Sequence, residues 1–86
     1  MSREEIIEYL NLGREELWKK PKYTLQDIHE GIPEEKRICY GITDKGDLIC
    51  NVGYYRDIKQ WNCAFVVSGR VYEAPVTENI VAYLYQ

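Results

Sequence analysis

Residues 37–74, RICYGITDKGDLICNVGYYRDIKQWNCAFVVSGRVYEA, decide the fold of this chain. Four apolar segments rich in β-branched and aromatic residues alternate with turn residues, a pattern typical of two consecutive β-hairpins. The first turn lies at residues 43–47 (TDKGD) and the second at Ser68-Gly69. The sequence therefore predicts a four-stranded antiparallel sheet.

The first turn sets the register of its hairpin. A type I turn over residues 43–46, with Gly46 in the left-handed conformation, gives a three-residue loop and pairs Thr43 with Asp47. A two-residue loop at Lys45-Gly46 would instead mix polar and apolar side chains on both faces. The three-residue loop is therefore preferred, and it predicts one wholly apolar face from the pairs Ile42–Leu48, Tyr40–Cys50 and Ile38–Val52.

The second turn is expected to have two residues, Ser68 and Gly69, as in the tightest hairpins. The pairs that follow are Val67–Arg70, Val66–Val71 and Phe65–Tyr72. Apolar side chains fall on both faces of the strand before this turn, which is typical of a central strand buried from both sides.

Helical segments are expected at both ends of the chain. Ser2 and Glu5 form a capping box before an apolar helical pattern, and residues 14–20 are also compatible with a helix. Thr24 is expected to cap a short turn over residues 25–30. Residues 79–85 fit either a final helix or an edge strand, because they are β-branched and aromatic, and the helix is preferred.

The predicted fold class is therefore α+β. One domain, residues 1–86, has two consecutive hairpins forming an antiparallel sheet, packed by the N-terminal helical segment and a C-terminal helix. The expected core is Ile6, Leu10, Leu17, Ile38, Tyr40, Ile42, Leu48, Cys50, Val52, Phe65, Val67 and Tyr72.

Composition indicates a globular cytoplasmic protein with no membrane partner. The chain has 86 residues, 45% of them hydrophobic, and a net charge of −3. It contains no apolar run of the roughly 20 residues that a membrane span needs, and its first residues are acidic, unlike a signal peptide. Cys39, Cys50 and Cys63 lack the close spacing of a zinc site, so we expect free thiols that pack as small hydrophobic groups.

No catalytic signature is present, so we expect neither an enzyme nor a bound cofactor or metal. The single His29 stands in an acidic context, and the serines, Ser2 and Ser68, belong to a cap and a turn. The six glycines do not form a phosphate-binding loop. The many carboxylates of the N-terminal region suit a solvated surface.

Two segments are candidate binding sites. The connection over residues 54–61 carries residue types enriched at interface hot spots, although its aromatic side chains could equally cap the core; its candidates are Tyr54, Tyr55, Arg56, Lys59 and Trp61. A secondary patch interleaves lysines with aromatic residues and consists of Trp18, Lys19, Lys20, Lys22 and Tyr23. For this patch we favour a structural explanation, in which the lysines complement a helix C-terminus and Trp18 turns into the core. The acidic net charge makes nucleic acid an unlikely partner.

These features favour a non-catalytic protein-binding module or inhibitor with a protein partner. Small inhibitors, including phage-encoded ones, are similar in size and charge, an analogy that no motif supports. The alternative is an oligomeric protein that binds a small nucleotide-like or anionic ligand in a pocket between subunits. In that case the chain would form a homo-oligomer, and its aromatic residues would stack on the ligand.

Overall fold

A computed structural model describes residues 1–86 as one short helix and a five-stranded sheet. Helix α1 spans Arg3–Asn11, and a 3-10 turn spans Leu25–Asp27. The strands are β1 (Cys39–Thr43), β2 (Leu48–Tyr55), β3 (Gln60–Val67), β4 (Arg70–Pro75) and β5 (Ile80–Tyr85). Their order in the sheet is β4-β3-β2-β1-β5, and every neighbouring pair is antiparallel. None of the helical elements is long and apolar enough to cross a membrane.

The C-terminal segment is a strand, so the preference for a helix over residues 79–85 is wrong. β5 pairs with β1 along its whole length, which makes β1 an interior strand. Ala82 and Leu84 pack with α1, whereas Tyr83 and Tyr85 lie on the opposite face of the sheet. This alternation buries apolar side chains on both faces, and a helix would have left the edge of β1 unpaired.

Both predicted turns are present. Thr43 N–H donates to the Asp47 carbonyl at 2.9 Å, and Gly46, with a φ of +79°, donates to the Thr43 carbonyl. Ile42 pairs with Leu48, as the three-residue loop requires. Ser68 and Gly69 both have positive φ, and all three predicted pairs of the second hairpin are observed.

The predicted pair Ile38–Val52 is wrong because β2 contains a bulge. Val52 pairs with Cys39 instead, and Asn51 has a φ of +57°. One extra residue in β2 reverses the alternation of its side chains beyond that point. Val52 therefore packs with Cys39 and Tyr83 rather than on the helix side of the sheet.

The bulge divides the core into two small clusters. On the helix side, Ile6 packs with Ile42, Ala82 and Leu84. The cluster on the other side is covered by residues 29–36, which we call the strap. His29 and Tyr83 exchange two backbone hydrogen bonds at one end of the strap, and Lys36 N–H donates to the Tyr54 carbonyl at the other. Pro33, between these anchors, is fully buried.

The N-terminal region is less helical than expected. The capping box of Ser2 and Glu5 is confirmed, but α1 ends at Asn11 and Gly13 takes a positive φ. Residues 14–20 are not helical, because turns occupy residues 12–18, and the turn capped by Thr24 is shorter than predicted. Asn11 closes the loop over residues 12–22 by exchanging two 2.8 Å hydrogen bonds with the backbone of Tyr23.

Half of the expected core residues lie outside the core. The exposed ones are Leu17, Ile38, Cys50, Phe65, Val67 and Tyr72. The reason is that α1 is short and its buried residue Ile6 packs on β1 and β5, so the helix does not cover the rest of the sheet. β3 is second from the edge of the sheet and its last residues are exposed, so the prediction that it is buried from both sides is wrong.

Candidate functional site

Residues 54–61 form a third hairpin and not an open connection. β2 and β3 remain paired as far as Tyr55 and Gln60, which leaves residues 56–59 as the turn. Tyr54 and Trp61 face each other across the two strands. The candidate side chains are therefore held by paired strands at the end of the sheet.

A cleft of about 290 Å³ opens beside this turn. Its lining residues are Ile32, Tyr54, Arg56 and Lys59. Three of them are among the five candidates that the sequence indicates. Ile32 comes from the strap and was missed, because nothing in the local pattern of residues 29–36 indicates that they cross the sheet. Its side chain is 65% exposed, so it forms an apolar lip on the cleft.

Arg56 is fixed at the cleft by hydrogen bonds to the strap. Its Nε and Nη2 donate to the Pro33 carbonyl at 3.3 and 3.0 Å, and its backbone N–H donates to the Glu35 carboxylate at 2.9 Å. A guanidinium has five N–H donors, so several stay free for a second partner. Neither Arg56 nor Lys59 forms an ion pair within the chain. The cleft therefore carries two cationic side chains without an ion-pair partner, and the carboxylates of Glu35 and Asp57 lie at the same turn.

Aromatic rings support the cleft from behind. The ring centroids of Tyr54 and Trp61 are 5.3 Å apart, those of Trp61 and Tyr83 are 5.8 Å apart, and Tyr85 continues the cluster. Burial, followed by a hydrogen bond with Tyr85, raises the pKa of Tyr83 to about 12. Trp61 is half-buried in this cluster and does not line the cleft. It is better described as support for Tyr54 than as a contact residue.

Tyr55 lies on the opposite face of the sheet from the cleft, because successive side chains of a strand alternate. A hydrogen bond with the Glu73 carboxylate is the main cause that raises the pKa of Tyr55. The Lys36 ammonium lies 5.2 Å from the centre of its ring. The structure thus does not bring Tyr55 together with the other candidates.

The residues of the secondary patch do not form one surface. Tyr23 points inward, donating its hydroxyl to the Tyr85 carbonyl at 2.9 Å, and the Arg14 guanidinium covers its ring. Trp18 is 69% exposed, so the expectation that it turns into the core is wrong. Lys22 comes only within 4.0 Å of the Glu15 carboxylate. Tyr23 therefore closes the loop, whereas Trp18 and its neighbouring lysines remain at the surface.

His29 and Cys39, the side chains suited to acid–base or nucleophilic chemistry, both pack beside Tyr83. No group of three or more His, Cys, Asp or Glu residues is placed to hold a metal ion. His29 stacks between Tyr83 and Tyr85, with ring centroids 5.6 and 5.4 Å away. Burial raises the pKa of the Cys39 thiol to about 11, which disfavours the nucleophilic thiolate. The cleft beside Arg56 is the place where three of the five candidate residues, Tyr54, Arg56 and Lys59, meet.

No protein-family model, curated protein or solved structure significantly matches this chain.

Proposed function

We propose that this chain is a non-catalytic protein-binding module, which acts as an inhibitor does by occupying a partner's surface, and that the cleft beside Arg56 is its contact site. The observation that carries this proposal is the placement of two unpaired cations, Arg56 and Lys59, beside the aromatic ring of Tyr54. Arginine and tyrosine are enriched among the residues that dominate protein interfaces.

The chemistry of the cleft suits an acidic segment of a partner protein. Arg56 and Lys59 would pair with carboxylates, while Ile32 and Tyr54 would contact an apolar side chain beside them. The cleft is shallow and open, which suits a protruding side chain better than an enclosed substrate.

Rigid support favours binding at this position. Tyr54 lies in a paired strand, and Arg56 is tied to the buried Pro33 through its carbonyl. Side chains that are already ordered lose less conformational entropy when a partner binds.

Affinity capture from the native host, followed by measurement of the dissociation constant, tests the proposal. Arg56→Ala and Ile32→Ala are expected to weaken binding by about 1–4 kcal/mol each, as hot-spot truncations do. Arg70→Ala and Ile58→Ala are matched controls, because they remove an exposed arginine and an exposed isoleucine outside the cleft. Circular dichroism checks the fold of each variant. A partner whose dissociation constant changes with neither Arg56→Ala nor Ile32→Ala would contradict the proposal.

A small anionic ligand is the second candidate, favoured by the same two cations beside an aromatic ring. Such a ligand would place a phosphate near Arg56 and Lys59 and a planar group against Tyr54. Because the cleft is open, a second subunit would be needed to enclose it. A panel of nucleotides should then raise the melting temperature of the wild type but not of Arg56→Ala. A monomer that shows no shift with any nucleotide would exclude this candidate.

A further inference from the structure

β4 forms a free edge of the sheet, because it has a neighbour, β3, on one side only. Val76 N–H donates to the Trp61 carbonyl at 2.8 Å, which fixes the alternation of backbone groups along the segment. Tyr72 and Ala74 therefore direct their N–H and carbonyl groups toward β3, whereas Val71 and Glu73 direct theirs outward. Pro75 is the next outward position and has no N–H to leave unpaired.

Apolar side chains of β3 and β4 are exposed near this edge. Val66 and Val71 are 68% and 71% exposed and lie on one face, while Phe65 and Tyr72 are exposed on the other. The chain's accessible surface is 6080 Å², against about 5,300 Å² expected for a monomer of 10.2 kDa. The six-residue β4 also carries Arg70, Glu73 and Pro75, but an exposed edge with apolar side chains remains a template for pairing with another strand.

We propose that β4 pairs antiparallel with β4 of a second copy of this chain, about a two-fold axis at Tyr72. The two five-stranded sheets would then form one continuous sheet across the axis. This surface lies away from the cleft beside Arg56, so the proposal does not depend on the proposed function.

Hydrogen bonding selects the register. With the axis at Tyr72, Val71 lies opposite Glu73 of the partner subunit, and these residues exchange both of their outward backbone hydrogen bonds. Symmetry repeats the exchange, so every outward N–H of β4 finds an acceptor. With the axis at Val71, Glu73 would face the turn residue Gly69 of the partner subunit, whose positive φ takes it out of the strand.

Electrostatics excludes the third register. An axis at Glu73 would place two carboxylates directly opposite each other, which is destabilising in a sheet. The axis at Tyr72 also extends an existing ring stack. Phe65 and Tyr72 stack with centroids 5.8 Å apart and an interplanar angle of 20°, and the same pair in the second copy would continue the row.

Disulfide trapping tests the register directly. At the axis of a non-hydrogen-bonded pair the two Cα atoms are about 4.5 Å apart, within the range of a disulfide. In a Cys50→Ser background, which removes the exposed native thiol, Tyr72→Cys is expected to form a cross-linked dimer on mild oxidation. Val71→Cys and Glu73→Cys mark the other two axes and are expected to remain without a cross-link. Dimers trapped by either of these, and not by Tyr72→Cys, would overturn the proposed register.

Sedimentation velocity over a range of concentrations tests the association itself. The wild type is expected to dimerise. Val71→Glu places a carboxylate opposite Glu73 of the partner subunit and is expected to weaken the dimer by about tenfold or more. Glu73→Pro removes an outward N–H that the folded monomer does not use, so it should weaken the dimer without unfolding the chain.

Leu17→Glu is the matched control, because Leu17 is an exposed apolar residue in the loop over residues 12–22. It is expected to leave the dimer unchanged. A wild type that stays monomeric at every concentration would overturn the proposal. A dimer that Leu17→Glu dissociates and Val71→Glu does not would overturn it too.

Discussion

Two hydrogen bonds join Asn51 and Gln86 at the end of the sheet. Asn51 N–H donates to Oε1 of Gln86 at 2.8 Å, and Nε2 of Gln86 donates to Oδ1 of Asn51 at 3.0 Å. Gln86 N–H also donates to the Ile38 carbonyl at 3.1 Å. The residue after β5 thus bridges the approach to β1 and the bulge in β2, so it stabilises the point at which β2 changes the face of its side chains.

The bulge is expected to depend on the left-handed conformation of Asn51. Asn51→Gly keeps that conformation available and loses one exposed side-chain hydrogen bond. Asn51→Val should cost about 1–3 kcal/mol more, because a β-branched residue is strained at positive φ. Urea unfolding followed by tryptophan fluorescence measures the difference. Equal stability of the two variants would contradict the assignment of the bulge.

Cys39 is expected to make the chain less stable in alkaline solution. Burial raises the pKa of its thiol to about 11, against about 8.5 in an unfolded chain. Between these values the folded state retains a proton that the unfolded state releases. The stabilisation is therefore complete below about pH 8.5, and about 3 kcal/mol is lost as the pH rises through about 11.

Urea unfolding at about pH 7.5, 9 and 10.5 would measure this loss, because these values run from below the unfolded pKa of about 8.5 to just below the folded pKa of about 11. Cys39→Ala should flatten the decline with pH, whereas Cys50→Ala, at an exposed site, should leave it unchanged. The decline that remains in Cys39→Ala is attributed in part to Tyr83, whose pKa is raised to about 12. Identical slopes for the wild type and Cys39→Ala would refute the role of Cys39.

The three thiols should react with iodoacetamide in the order of their exposure. Cys50 is exposed, Cys63 is partly exposed and Cys39 is buried, and none is paired in a disulfide. In the native state, intact mass should show Cys50 modified first and Cys39 last. In denaturant without reductant, all three should be modified. Two thiols that react only after reduction would indicate a disulfide instead.

The loop over residues 12–22 is expected to depend on one amide. Asn11→Ala removes both hydrogen bonds to Tyr23 and leaves its backbone N–H and carbonyl without partners, which should cost about 1–3 kcal/mol. Trp18→Ala, in the same loop, removes an exposed ring and should change stability by no more than about 0.5 kcal/mol. Thermal unfolding compares the two. A larger loss for Trp18→Ala would mean that its ring packs against the chain.

Local chemistry was enough to predict the two sequence-defined turns. Gly46 in the first turn and Ser68 and Gly69 in the second all have positive φ, and these turns set the register of the strands beside them. No distant contact is needed for that. The capping box of Ser2 and Glu5 is local in the same way. Each of these features depends on residues close in sequence, and each was predicted correctly.

Tertiary contacts decided the elements that the sequence did not predict. Residues 80–85 are apolar at both helical and strand spacing, and it is the free edge of β1 that makes them a strand. The position of the strap also depends on contacts with residues distant in sequence, so the sequence did not predict it. Ile32, which the strap brings to the cleft, was therefore missed as well. Asn51 did carry a local signal, because asparagine tolerates positive φ, but the apolar pattern of β2 outweighed it.

The pairing of β5 with β1 also implies an order of events in folding. Each hairpin between β1 and β4 joins strands that are neighbours in sequence, so these pairings close short loops and should form early. β1 and β5 are about 40 residues apart in sequence, so their ladder carries a larger loop-closure cost and should form late. The side chains of Ala82, Tyr83 and Leu84 reach both core clusters only at that step. We therefore expect the rate-limiting transition state to be the docking of β5, with the hairpins already formed.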